Sequence, residues 1–110
     1  GGDSQPQVVL QLLARLLHGG ESPGAAVSAP RWVLGNGGFA TWTGEDQDHV
    51  SLEEGAPAAW ADGLRSRGHE VVWLPQWANV GHAHVISVSD DGVLGGAADP
   101  RARTGSAAGF

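Results

Sequence analysis

The 110-residue chain has no cysteine, no methionine and no lysine. Without cysteine, neither a disulfide scaffold nor a thiolate metal site is available. All six cations are arginines, set against twelve acidic residues for a net charge of −6. That balance speaks against nucleic acid and anionic membrane as partners, since both require a basic patch. Long apolar runs are missing as well: the stretch from Val8 to Leu17 is broken by Gln11 and Arg15 and is too short to span a bilayer. Bulky apolar residues are scarce, because 16 alanines make up a large part of the 41% hydrophobic content. Eighteen glycines add positions that lose much backbone freedom on folding. The core is therefore thin, and the absence of methionine, at position 1 included, with no signal-like start, leads us to expect a piece of a longer protein.

What is present reads as a mixture of helices and strands. Ser4-Gln5-Pro6-Gln7 has the form of a capping box, with Ser4 as N-cap and Gln7 reaching back. A helix through Leu17 follows, apolar over most of its circumference. Gln7, Gln11, Arg15 and His18 form one narrow polar stripe on it, and Gly19-Gly20 ends it. Asp3 reads better as a second cap than as a substrate contact. Ser22-Pro23 opens a short helix that stops at Ala29, ahead of Pro30. Arg31–Leu34 is predicted as a strand and 35–47 as a loop, with Trp42 packed down onto the body. His49–Leu52 is a second strand.

Pro57–Arg67 forms the next helix. Glu53 and Glu54 precede it and Arg65 and Arg67 close it, as the helix dipole favours. Trp60 and Leu64 are its predicted buried face, and Gly68 its C′ residue. Glu70–Leu74, Ala83–Ser89 and Val93–Ala97 are strands. The last two are joined through Asp90-Asp91-Gly92, a hairpin signal that lacks the acidic spacing of a calcium loop. Pro100–Phe110 is a tail of small residues, ending on an aromatic suited to anchor it. The order implies an α+β fold, with helices layered on a mainly antiparallel sheet.

Several segments then resemble one known family, in register over nearly the whole chain. Gly1-Gly2-Asp3-Ser4-Gln5 is similar to the Pro-Gly-Gly segment in the small subunit of γ-glutamyltranspeptidases and their acylase relatives. Ala29-Pro30-Arg31-Trp32 resembles the family's Ala-Pro-Arg-aromatic step. Leu64 to Val71, with Arg67-Gly68-His69 inside, is similar to its helix-to-strand passage, and Gly81-His82-Ala83 to its Gly-His-Ala strand entry. Asp91-Gly92 through Gly95, Ala98-Asp99-Pro100-Arg101 and Ala108-Gly109-Phe110 resemble its C-terminus.

The resemblance implies a fragment of an N-terminal-nucleophile hydrolase αββα sandwich, the C-terminal part of the small catalytic subunit. It implies a parent enzyme that cleaves itself to expose a threonine whose hydroxyl is the nucleophile and whose α-amine is the base. The substrate implied is a γ-glutamyl amide such as glutathione, and the acyl group passes to water or to an amine. No metal or organic cofactor is implied. Gly1 and Gly2 take the place of the oxyanion-hole glycines, a role suited to residues without a Cβ at the positive end of a helix. The nucleophile lies upstream of Gly1 in the family; Thr41, Thr43 and Thr104 match no nucleophile motif. Cephalosporin-acylase-like and poly-γ-glutamate-cleaving relatives look nearly the same over these residues. From another class, a non-catalytic interaction module is the alternative.

Other candidates point elsewhere. His82 and His84 alternate on a strand at a spacing compatible with a metal, but no third ligand is evident, and packed or hydrogen-bonded histidines are the default. The tryptophans read as core bulk rather than a binding platform. Arg31 with Asp99-Pro100-Arg101 fits either a structural ion pair or a subunit contact. The expected partners are the remainder of the same polypeptide and its large subunit. In isolation the chain is expected to dimerise, exchange strands or aggregate, because its first helix has too much apolar surface. Localisation stays open.

Overall fold

The computed structural model describes residues 2–35, 48–78 and 80–109. The loop beyond Gly35 with Trp42, and the Phe110 anchor, therefore lie outside the described residues. Helix α1 (Gln5–Leu13) has Pro6 in its first turn and continues into a π-helical turn at Ala14–His18. There Gly19 N–H donates to Ala14 O at 2.9 Å. Helix α2 (Pro23–Ser28) starts at Ser22, whose side chain accepts from Ala25 N–H. It stops as expected at Ala29, which is extended ahead of Pro30.

Strands β1 (Trp32–Leu34), β2 (His49–Glu53) and β3 (Glu70–Leu74) form one sheet in that order. β1 runs antiparallel to β2, with Trp32 opposite Leu52 and Leu34 opposite Val50. β2 and β3 are parallel, joined by the crossover helix α3 (Ala58–Arg65). Strands β4 (His84–Val88) and β5 (Leu94–Ala98) make an antiparallel hairpin. Gly92 turns it at φ +83°, and Val93 O accepts from Ser89 N–H at 3.0 Å. The Ser89 hydroxyl and Val93 N–H hold the exposed Asp91 carboxyl below its ordinary range. Among the described residues two of the three strand pairings are antiparallel, so the α+β reading stands, with one parallel pair inside it.

The end of α3 is a Schellman closure: His69 N–H donates to Leu64 O and Gly68 N–H to Arg65 O, with Gly68 at φ +88°. The start of α3 differs from expectation. Glu54 is exposed, whereas Glu53 is fully buried and turned to other partners. Ala61 is the buried residue of this helix; Leu64 is partly buried and Trp60 stays 36% exposed.

Among the described residues two small apolar clusters hold the elements together. Val8, Leu12, Ala26 and Val27 pack under Leu16, Val85 and Ala97. Val50, Leu52 and Ala61 pack against Trp32, Leu64 and Val71. None of the four described tryptophans is buried; Trp32 packs partly buried against the second cluster, while Trp60, Trp73 and Trp77 do not supply the core bulk expected of them. Valine, leucine and alanine do so instead. The tail crosses the β4–β5 hairpin, where Gly96 leaves room for Ala107.

The radius of gyration is 15.1 Å, against about 13 Å for an ordinary domain of this length. Helix α1 and the π-helical turn after it are covered on one side only among the described residues: Leu10 is 61% and Leu17 80% exposed. No helix among the described residues is long and apolar enough to cross a membrane.

Candidate functional site

Of the two glycines marked out by sequence, Gly1 lies outside the described residues. Gly2 sits at φ +50°, a left-handed conformation that suits a residue without a Cβ. Its carbonyl accepts from Gln5 N–H at 3.1 Å, which ties it to the first turn of α1. Ser4 is buried and its carbonyl accepts from Val8 N–H at 3.0 Å.

The expected capping box does not form. Ser4 already has helical backbone angles and its side chain makes no cap bond. Gln7 turns away from the helix start, so that its Oε1 accepts from Leu34 N–H at 2.8 Å. The first two residues of the polar stripe, Gln7 and Gln11, are thus contacts to the sheet. Gln11 Oε1 accepts from Trp32 N–H at 3.0 Å, while its Nε2 donates to Trp32 O at 2.8 Å and to Gln7 O at 3.0 Å. The two carboxamides cover the edge of β1 that faces away from β2, much as a further strand does. At the far end of the helix Arg15 Nη1 pairs with Glu21 Oε1 at 2.8 Å.

A second polar cluster lies where the two sheets meet α2. Arg31, Glu53, Asp99 and Arg101 are all buried, and their formal charges cancel. Asp99 takes Arg31 Nη2 at 2.6 Å on one oxygen and Arg101 Nη1 at 3.0 Å on the other. Arg101 Nε donates to Glu53 Oε1 at 2.7 Å, and its Nη2 contacts the other Glu53 oxygen. That same oxygen accepts from Arg31 N–H at 2.8 Å. Arg101 also donates to the carbonyls of Val27 and Ala29 at the end of α2, and Arg31 to Gly81 O. Such placement suits cations at a helix C-terminus.

Burial by itself pushes the Asp99 carboxyl up. The N–H groups of Arg101 and Ala83 and the two guanidinium groups outweigh it and hold Asp99 below the ordinary carboxylate range. Burial, with the neighbouring charge of Arg101, pushes Arg31 down. For Arg101 burial also lowers, but the bonds to Glu53 and Asp99 prevail and raise it. Between the two sequence readings of Arg31 and Asp99, the structural ion pair is therefore the one observed.

Glu53 is the residue that sequence reasoning misplaced. Its one signal was an acidic residue ending a short β-pattern, which proximity to α3 obscured. His82 and His84 are exposed, and no three histidine, aspartate or glutamate residues gather into a possible metal site among the described residues. An apolar cleft of about 460 Å³ between α3 and the first sheet, with Trp32, Leu52, Trp60 and Leu64 among its lining, presents no acid, base or nucleophile. Thr41 and Thr43 lie outside the described residues, and Thr104 is exposed in the tail. Among the described residues, the backbone at the head of α1, with its left-handed Gly2, is the part of the sequence-predicted site that the structure places.

The fold is that of the N-terminal-nucleophile hydrolases, with helices and sheets forming part of their αββα sandwich. Cephalosporin acylase from Bacillus halodurans shares it at a TM-score of 0.76 and 29% identity, over 92% of this chain and 17% of that one. The chain belongs to the gamma-glutamyltranspeptidase family, whose pattern residues 1–109 match. It is 39% identical over 111 residues to the oxamate amidohydrolase proenzyme of Klebsiella pneumoniae, which covers 100% of this chain and 20% of that protein. It is 36% identical over 102 residues to the glutathione hydrolase-like YwrD proenzyme of Bacillus subtilis, which covers 92% of this chain and 18% of that protein. The chain thus spans about a fifth of the length of these relatives.

Proposed function

We propose that the chain is the C-terminal part of the small catalytic subunit of an amide-cleaving acyl hydrolase or transferase. The remainder of that polypeptide and its large subunit are its partners, and its substrates are γ-glutamyl amides of the glutathione type. In this reading a threonine upstream of Gly1 adds its hydroxyl oxygen to the amide carbonyl while its own α-amine takes the proton. The carbonyl oxygen becomes negative, and the backbone N–H groups of Gly1 and Gly2 receive it. The C–N bond then breaks, the proton passes to the departing amine, and water or an acceptor amine releases the acyl group.

The observation that carries this reading is family membership over residues 1–109, with two relatives named as proenzymes. The left-handed Gly2 at the head of α1 supports this reading, because that backbone conformation favours a residue without a Cβ, and such a residue lets a ligand approach the main chain closely. The 39% identity to an oxamate amidohydrolase favours a second, narrower reading, in which the substrate is a small carboxy-amide and the acyl group oxalyl rather than γ-glutamyl.

The test is steady-state hydrolysis by the full-length enzyme of γ-glutamyl-p-nitroanilide, glutathione and oxamate, with mass spectrometry to find the acylated threonine. Turnover of the first two supports the γ-glutamyl reading and turnover of oxamate alone the second. Gly2→Ala is expected to lower kcat by about a hundredfold or more. No hydrolysis of any of the three overturns both readings.

A further inference from the structure

From the contacts along α1 we infer that Gln7 and Gln11 are positioning residues for the reaction: they fix the axial position of α1 against β1 and so set where the Gly2 N–H stands. This rests on the oxyanion reading of Gly2 given above. The apolar contacts of α1, through Val8 and Leu12, are non-directional and tolerate sliding along the helix axis. The hydrogen bonds do not. Trp32 exchanges two bonds with the Gln11 carboxamide, at 3.0 and 2.8 Å, and Leu34 N–H adds a third to Gln7 at 2.8 Å. One residue of slip along a helix is about 1.5 Å, enough to break all three.

The link onward to Gly2 is short and covalently tight. Gln7 and Gln11 lie four residues apart on one face of the helix. The backbone carbonyl of Gln7 accepts from Gln11 Nε2 at 3.0 Å, which ties the Gln11 side chain to the helix one turn nearer Gly2. The turn that holds Gly2 closes on the same helix through Gln5 N–H. Arg15, by contrast, sits at the other end of the helix and pairs with Glu21, without touching β1 in this way.

Misplacing a transition-state donor by about 1 Å costs on the order of a hundredfold in rate, and it does so without loosening ground-state binding in proportion. A residue that merely holds the fold together lowers stability and leaves the kcat of the folded enzyme alone. The two roles therefore separate in the split between kcat and KM.

The experiment compares Gln11→Leu, Gln7→Leu, Arg15→Ala and Gly2→Ala in the full-length enzyme, with γ-glutamyl-p-nitroanilide and oxamate as probe amides and kcat normalised to titrated active enzyme. We expect Gln11→Leu to lower kcat about tenfold to a hundredfold with KM within about twofold. Gln7→Leu, which removes a single acceptor, is expected to act in the same direction by about threefold to tenfold, and it serves should Gln11→Leu yield no soluble enzyme. Arg15→Ala is expected to lower the melting temperature only. Unchanged kcat in the folded glutamine variants, beside a large loss in Gly2→Ala, overturns the positioning role. Unchanged kcat in Gly2→Ala overturns the oxyanion reading instead, and absence of turnover of both probes by the unsubstituted enzyme overturns the two together.

Discussion

Asp99 Oδ2 lies 2.6 Å from Arg31 Nη2, though 68 residues of chain separate them, and both side chains are almost wholly buried, at 0% and 3% exposure. The contact joins the entry of β1 to the exit of β5, and so the first sheet to the hairpin. Asp99 reinforces the junction by accepting from Ala83 N–H at 2.8 Å, just before β4. With Arg101 and Glu53, the group connects both sheets to the carbonyl end of α2 through directional bonds, which suits a chain with little apolar core.

Removing Asp99 leaves two guanidinium groups buried with one carboxylate between them. Breaking a buried pair in this way costs about 3–5 kcal/mol, far more than an exposed pair is worth. We expect Asp99→Ala in the full-length protein to lose stability of that order in a urea titration. Asp99→Asn, which keeps the shape and one acceptor, is expected to lose less. Equal stability of Asp99→Ala and the unsubstituted protein is the outcome that refutes the junction.

The same residue gives the junction a pH dependence of definite sign. Its carboxyl is held below the ordinary range in the folded protein, while in the unfolded chain it titrates near 3.9. The stabilisation is therefore fully present above about pH 4 and is lost as pH falls through the folded value. Urea midpoints measured from pH 7 down to 3 should fall at the acid end, and Asp99→Asn should flatten part of that fall.

Gly68 is at φ +88° with open space where a Cβ would stand. Any cost of Gly68→Ala thus comes from the backbone and not from a clash. We expect a loss of about 1 kcal/mol, read as a lower denaturation midpoint with unchanged slope. Gly24 also has open space and lies within α2 without a positive φ, so Gly24→Ala should be neutral or stabilising.

Local chemistry was the legible part of this fold. Ser22-Pro23 and Pro30 bound α2, Asp91-Gly92 turns the β4–β5 hairpin, and Gly68 closes α3, each through contacts within a few residues. Side chains with distant partners were not legible. Glu53 looked like a dipole partner for the helix just after it, yet its carboxylate meets Arg101, 48 residues on. Gln7 looked like the returning half of a capping box and Gln11 like part of a narrow polar stripe, because nothing local says that the edge of β1 will lie beside them. The tryptophans looked like core because they are large; at the surface of this chain Trp73 and Trp77 are 39% and 49% exposed. As for the candidate site, the glycine pair rests on the family resemblance, and Gly2 has the left-handed backbone that glycine favours.

The isolated 110-residue chain should be catalytically inert. In the proposed mechanism the attacking hydroxyl and the base that activates it both belong to a threonine outside this sequence, and donors alone do not cleave an amide. γ-Glutamyl-p-nitroanilide incubated with the purified chain should hydrolyse at the buffer rate. Hydrolysis above that rate, abolished by substitution of Thr104, contradicts the assignment of the nucleophile.

Self-association is the last consequence, and it follows from where the apolar surface lies. Leu10 and Leu17 on the first helix are 61% and 80% exposed, and Ile86 and Val88 on β4 are 74% and 68% exposed. Val9, Leu13 and Leu17 line one groove with Ile86 and Val88, so this surface is contiguous. A two-stranded hairpin is marginal by itself, and exposed contiguous apolar surface drives association in water. Sedimentation velocity of the isolated chain should therefore show dimers or larger species that grow with concentration. The double substitution Leu17→Gln with Ile86→Thr should shift the distribution toward monomer, because it makes the groove polar without touching the buried clusters or the Asp99 junction. A sharp monomer peak for the unsubstituted chain, together with cooperative melting, would show that this surface needs no cover.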